Sequence, residues 1–153
     1  MIINNSTAFE VTNALREAFS EYPTEGLVVA VKYCPNGSRR FISGTYYRRA
    51  KGFEDGGLIR IRINRHNKYP LKVQFKTSSY YTKRNAWGKE ITYQQLMTVE
   101  FKTPGDLILG IFAHEFSHYL DHIWGLNGRY KQTKADKFAI AILEKLKIVE
   151  GAE

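Results

Sequence analysis

The chain has one cysteine, Cys34, four prolines, and no apolar run approaching the roughly 20 residues that a bilayer-spanning helix needs. A single thiol excludes a disulfide framework and a four-cysteine zinc site, and it predicts a reducing, cytoplasmic setting. Met1 to Glu10 lacks the charged-then-apolar pattern of a secretory leader, and no membrane partner is expected. Acidic residues are almost missing between positions 31 and 89, where only Glu54 and Asp55 occur. Fifteen of the 23 Lys and Arg fall in that stretch, so a chain of net charge +8 concentrates its positive charge in less than half of its length. Such asymmetry suits a polyanion or an acidic substrate, or a solvated sheet face that keeps the protein soluble.

What is present suffices for a core. The 153 residues are 43% hydrophobic and 25% charged, which predicts one globular domain over 1–153, of the α+β class. Thr7, Ala8, Val11, Ala14, Leu15, Ala18 and Phe19 recur at helical spacing before Pro23 and predict an N-terminal helix. A mixed, twisted sheet should follow. Leu27–Cys34 and Arg40–Arg49 read as strands, with Gly44 as a candidate bulge. Leu58–Asn64 alternates isoleucine with Arg60 and Arg62, and Leu71–Lys76 repeats the pattern with Lys72 and Lys76, giving one buried and one basic face. Residues 77–90 read as a long loop or ribbon, and Tyr93–Phe101 as the last strand. Thr103-Pro104-Gly105-Asp106 is a helix start, and the helix it opens is apolar nearly all round until Gly125. A closing helix presents Ala135, Phe138, Ala139, Ile142, Leu143 and Leu146 on one face.

The chemistry sits in the apolar helix, at His114-Glu115-Phe116-Ser117-His118. Residues four apart lie about 40° apart around a helix, so both imidazoles can address one cation. Glu115, offset by about 100° from His114, stands beside that cation and suits a general base acting on water activated by zinc. Burying two histidines and a glutamate costs several kcal/mol unless something compensates, and Zn2+ would. Ser117 and Cys34 have no base or partner in the pattern, which argues against covalent catalysis.

Together with Ala135-Asp136-Lys137-Phe138-Ala139, the five-residue motif resembles the zincin metallopeptidases. Among them it is most similar to small gluzincin-like and SprT-like or ImmA/IrrE-like proteins, over residues 103–143. The metzincin variant does not apply, because Trp124 occupies the position ten after His114. The resemblance implies a zincin-like architecture: N-terminal helix, sheet, buried metal helix, closing helix. It also implies a peptide or protein substrate lying as an added strand along a sheet edge, for which Tyr93–Phe101 is the nearest candidate.

One position departs from the family pattern. The third-ligand glutamate aligns with Gln132, a poor zinc ligand. Asp136 is then the first choice to complete a His114, His118, Asp136 set, although Thr133-Lys134-Ala135-Asp136 also reads as a helix cap and the matching family Asp sits behind the ligands. Gln132 through its carbonyl is the second choice. Asp121 suits an acceptor orienting His118, His122 a donor to a developing oxyanion, and Tyr130 an electrophilic partner of the scissile carbonyl. His66 reads as a surface residue.

Two functions follow. The first is a zinc metallopeptidase with Glu115 as general base. The second is a degenerate zincin acting as a binding module, whose Arg60, Arg62, Lys72 and Lys76 grip DNA or RNA or an acidic protein while Tyr80, Tyr81 and Trp87 offer stacking surfaces.

Overall fold

The structure, a computed structural model, describes residues 1–49, 56–126 and 131–149. Three helices and two sheets make up the α+β fold, in the order β1 (Ile2–Asn5), α1 (Thr12–Ala18), β2 (Val28–Tyr33), β3 (Ile42–Tyr47), β4 (Leu58–Ile63), β5 (Leu71–Arg84), β6 (Glu90–Phe101), α2 (Pro104–Ile123) and α3 (Gln132–Lys145).

The expected single mixed sheet is instead two. Among the described residues four strands lie in the order β1-β2-β4-β3, and β5 pairs only with β6. β1 and β4 both run parallel to β2, while β3 runs antiparallel to β4 at the edge. β4 behaves as its alternation predicts: Ile59, Ile61 and Ile63 are fully buried, and Arg60 and Arg62 take the other, half-exposed face. Lys72 and Lys76 alternate in the same way but belong to the other sheet, so the four basic residues do not share one pleated surface.

The N-terminal helix is shorter than its periodicity suggests. The Asn5 side chain accepts from the Thr7 amide at 3.0 Å and the Thr7 hydroxyl at 2.7 Å, and donates to the Phe9 carbonyl at 2.6 Å. These local bonds hold residues 5–9 in a turn and leave the helix to begin at Thr12. Upstream, Ile2–Asn5 forms a strand that pattern reading overlooks, because four residues carry little periodicity and their pairing with Val28–Val31 is long-range.

α2 is the axis of the core. Thr103 caps it by accepting from the Asp106 amide at 3.2 Å, and Pro104 occupies the first turn. Leu107, Ile108, Phe112 and Phe116 are fully buried, with Phe19, which caps the end of α1, against both phenylalanines at 4.8 Å between ring centroids. Gly110 has its reason in packing, since a Cβ there would lie 2.8 Å from the Phe101 ring.

The 77–90 segment is a ribbon and not a loop. β5 and β6 stay paired from Leu71↔Phe101 out to Arg84↔Glu90, with one irregularity between Lys76 and Tyr80. Asn85 closes the turn by accepting from the Trp87 amide at 2.9 Å and the Lys89 amide at 3.0 Å. None of the described helices is long and apolar enough to cross a membrane.

Candidate metal and hydrolytic site

α2 runs beside the edge strand β3, and Gly44 decides how closely. A Cβ at Gly44 would lie 2.7 Å from Ile111 Cγ2 and 3.0 Å from Glu115 Cγ. Gly44 pairs with Ile61 in unbroken register, so the glycine marks a close approach between strand and helix rather than the expected bulge. A cleft opens here, lined by Ile42, Ser43 and Gly44 of β3, Val73, Gln74 and Phe75 of β5, and Ile111, His114, Glu115 and Asp136. Its strand walls are β3 and β5, not the Tyr93–Phe101 strand expected to flank it.

β3 is terminal in its sheet. The Asn64 amide donates to the Phe41 carbonyl, which fixes the antiparallel alternation. Ser43 and Thr45 therefore turn their main-chain groups towards β4, and Ile42 and Gly44 turn theirs outwards at the cleft.

Within α2, Glu115 and His118 are buried at 4% and 6% exposure, and the two histidine rings stand 5.1 Å apart at a steep angle. His114 Nδ1 makes a 2.6 Å hydrogen bond with Asp136 Oδ1, while its Nε2 lies 3.9 Å from Glu115 Oε1. The second oxygen of Asp136 accepts from the Lys76 amide at 2.7 Å. Both carboxylate oxygens are thus engaged, one with the ring nitrogen remote from Glu115 and one with β5. The expected capping role of Asp136 is not taken up: α3 starts after Lys131 with no side-chain cap.

The electrostatics divide the histidines. Burial opposes a charge on His114, but the Asp136 hydrogen bond and the Glu115 and Asp136 charges outweigh it and raise its pKa. For His118, burial and the neighbouring His114 prevail over Gln132, Asp121 and Asp136, and its pKa drops to about 4. His118 is therefore neutral at pH 7, the form in which an imidazole binds a metal. The Gln132 side chain favours protonation of both rings, which places it beside them, and its Oε1 is buried with no hydrogen-bond partner among the described residues.

The remaining residues have other engagements. Asp121 pairs with Lys134 at 2.6 Å, so its charge reaches His118 already partly compensated. His122 Nδ1 is 2.7 Å from the Tyr46 hydroxyl. Burial, more than the Tyr119 charge, pushes the Tyr46 pKa up to about 12, and burial with Arg48 and Arg49 lowers that of His122. At neutral pH the phenol keeps its proton and the imidazole is uncharged, so Nδ1 is engaged with Tyr46 and Nε2 is left for the expected oxyanion role. His66 is exposed, as expected, and Tyr130 lies outside the described residues. Sequence reading gave Gly44 only as a bulge and missed Gln74 and Tyr46. A glycine inside a strand is the one signal that could have found any of them.

Among the described residues, no three or more His, Cys, Asp or Glu side chains converge as a metal cluster. The donor set that these residues offer is instead the two imidazoles and the unsatisfied amide oxygen of Gln132. It fits a divalent cation in kind, and it is one negative charge short of a His-His-Glu set. Comparisons of the chain with protein-family models, with curated proteins and with solved structures return no match.

Proposed function

We propose that this chain is a metal-dependent peptidase of the zincin kind. The observation that carries the reading is the Asp136–His114 hydrogen bond. A carboxylate holding the far nitrogen of an imidazole fixes its tautomer and turns the other nitrogen to a ligand, which is the usual environment of metal-bound histidine. His114 and His118 would hold the ion, with Gln132 Oε1 as third donor and Asp136 orienting His114. When bound, Zn2+ supplies Lewis-acid and water-activating chemistry.

The chain's own residues do the rest. Glu115, beside His114 and walled by Gly44, takes the proton from water attacking a peptide carbonyl and returns it to the departing amine. An extended peptide along β3 would find the outward main-chain groups of Ile42 and Gly44 and pass directly by Glu115. His118 is neutral at pH 7, so no charge need be lost from it for an ion to bind.

The test joins elemental analysis with cleavage of an unstructured protein such as casein. One zinc per chain and cleavage by wild type, with zinc kept and cleavage lost in Glu115→Gln, is the expected result. Cleavage undiminished in that variant removes Glu115 as the base.

The amide at position 132 favours a second reading, a degenerate zincin that binds protein or nucleic acid without cleaving. Failure to take up zinc, with no cleavage in any sample, would make that reading the better one.

A further inference from the structure

The outer half of the β5–β6 ribbon does nothing for the core. From Lys76 through Leu96 no residue is buried, and Trp87 at the tip is 88% exposed. A two-stranded ribbon without a packed face is marginal by itself, so its length needs another purpose. Its charge points to one. Within positions 76–96, Lys76, Lys83, Arg84 and Lys89 are accompanied by a single acid, Glu90, which sits 3.7 Å from Arg84. Among the described residues, Lys76, Lys83 and Lys89 make no ion pair.

A second cationic feature lies at the root of the same strand. Arg39, His66, Lys68 and Lys72 line a cleft with Phe41, and no acid lines it. Lys72 and Lys76 alternate on one face of β5, so the strand itself joins this cleft to the arm.

We propose that the arm and the cleft at its root dock a double-stranded nucleic acid, the arm entering a groove and the cleft meeting the phosphate backbone. The geometry favours a duplex over a single strand. Beyond the irregularity, Tyr81 and Lys83 share one face with Tyr93, while Tyr80, Thr82 and Arg84 share the other, so polar and cationic groups point both ways. That suits an element enclosed by groove walls, whereas a single strand lies on one open face. Tyr81 and Tyr93 stack on each other at 5.6 Å with Lys83 over Tyr81, so these rings do not form an open platform for bases. The pairing from Tyr80 to Arg84 spans about 17 Å, ample for a major groove about 8.5 Å deep that admits a two-stranded ribbon. Trp87 then leads into the groove.

The test measures fluorescence anisotropy of a labelled DNA duplex of about 20 base pairs and of its single strand, between about 50 and 200 mM salt. Full-length wild type, Lys83→Ala/Lys89→Ala and Arg39→Ala/Lys72→Ala are compared, all substitutions being at exposed positions that leave the circular dichroism unchanged. Tighter binding of duplex than of single strand is expected, weakening steeply with salt. Each double variant should bind at least about tenfold more weakly, with a salt slope shallower by about 2. No duplex binding at the lowest salt, tighter binding of the single strand, or an arm variant with unchanged affinity and slope would each overturn the proposal. No metal or peptide enters the assay, so its outcome is independent of the peptidase reading.

Discussion

Asp136 Oδ1 lies 2.6 Å from His114 Nδ1, and Asp136 Oδ2 takes the Lys76 amide at 2.7 Å. One side chain of α3 thus fixes both an imidazole of α2 and the start of the β5–β6 arm. The residue favoured from sequence as a third ligand has both carboxylate oxygens hydrogen-bonded.

Asp136→Asn is expected to weaken zinc binding by roughly 10- to 100-fold while leaving one zinc per chain at saturation. Competition against a chromophoric chelator measures it. Loss of the stoichiometric site at saturating zinc would instead return Asp136 to the ligands.

Gln132→Glu should tighten zinc binding in the same assay, because a carboxylate adds the negative charge that the amide lacks. Gln132→Ala should loosen it. An affinity indifferent to both changes takes position 132 out of the donor set.

Gly44→Ala forces a methyl group to within 2.7 Å of Ile111 and 3.0 Å of Glu115. A loss of about 1–3 kcal/mol in urea denaturation is expected from overpacking. Activity should fall further than stability explains, since the side chain displaced is the proposed base. Full stability in the variant would mean that strand and helix separate without cost.

Acid should destabilise the metal-free protein through His118. Its folded pKa of about 4 lies below the ordinary 6.5, so between these values the unfolded chain binds a proton that the folded chain excludes. Stability contributed by the neutral ring is present above pH 6.5 and is lost as pH falls towards 4. His114 has the opposite sign: its raised pKa gives a contribution complete below 6.5 that disappears as pH rises through the raised value. Between pH 7 and 4.5 the His118 share is on the order of 2 kcal/mol. Urea midpoints should show this fall in wild type and a flatter profile in His118→Gln; parallel profiles would assign the acid loss to other groups.

The sequence by itself determined the elements whose signals are local. Thr103-Pro104 and the apolar girdle of α2 announced that helix, since capping and burial on every face are written in consecutive residues. Ile59, Ile61 and Ile63 announced β4, and the spacing of His114, Glu115 and His118 put two imidazoles and a carboxylate on one helix. Tertiary structure decided everything that depended on a partner distant in the chain. β1 exists because Val28–Val31 offers it an edge, the two sheets separate because β5 finds its partner in β6, and Gly44 is needed because α2 passes there. The role of Asp136 belongs with these. From sequence a ligand was the first choice for it, with a cap and a support behind the ligands as competing readings, and only the arrival of His114 and Lys76 from two other elements gave its oxygens their partners. Spacing fixes which side chains share a face of one element; which group meets them from the next is set by packing, and that is a property of the folded chain.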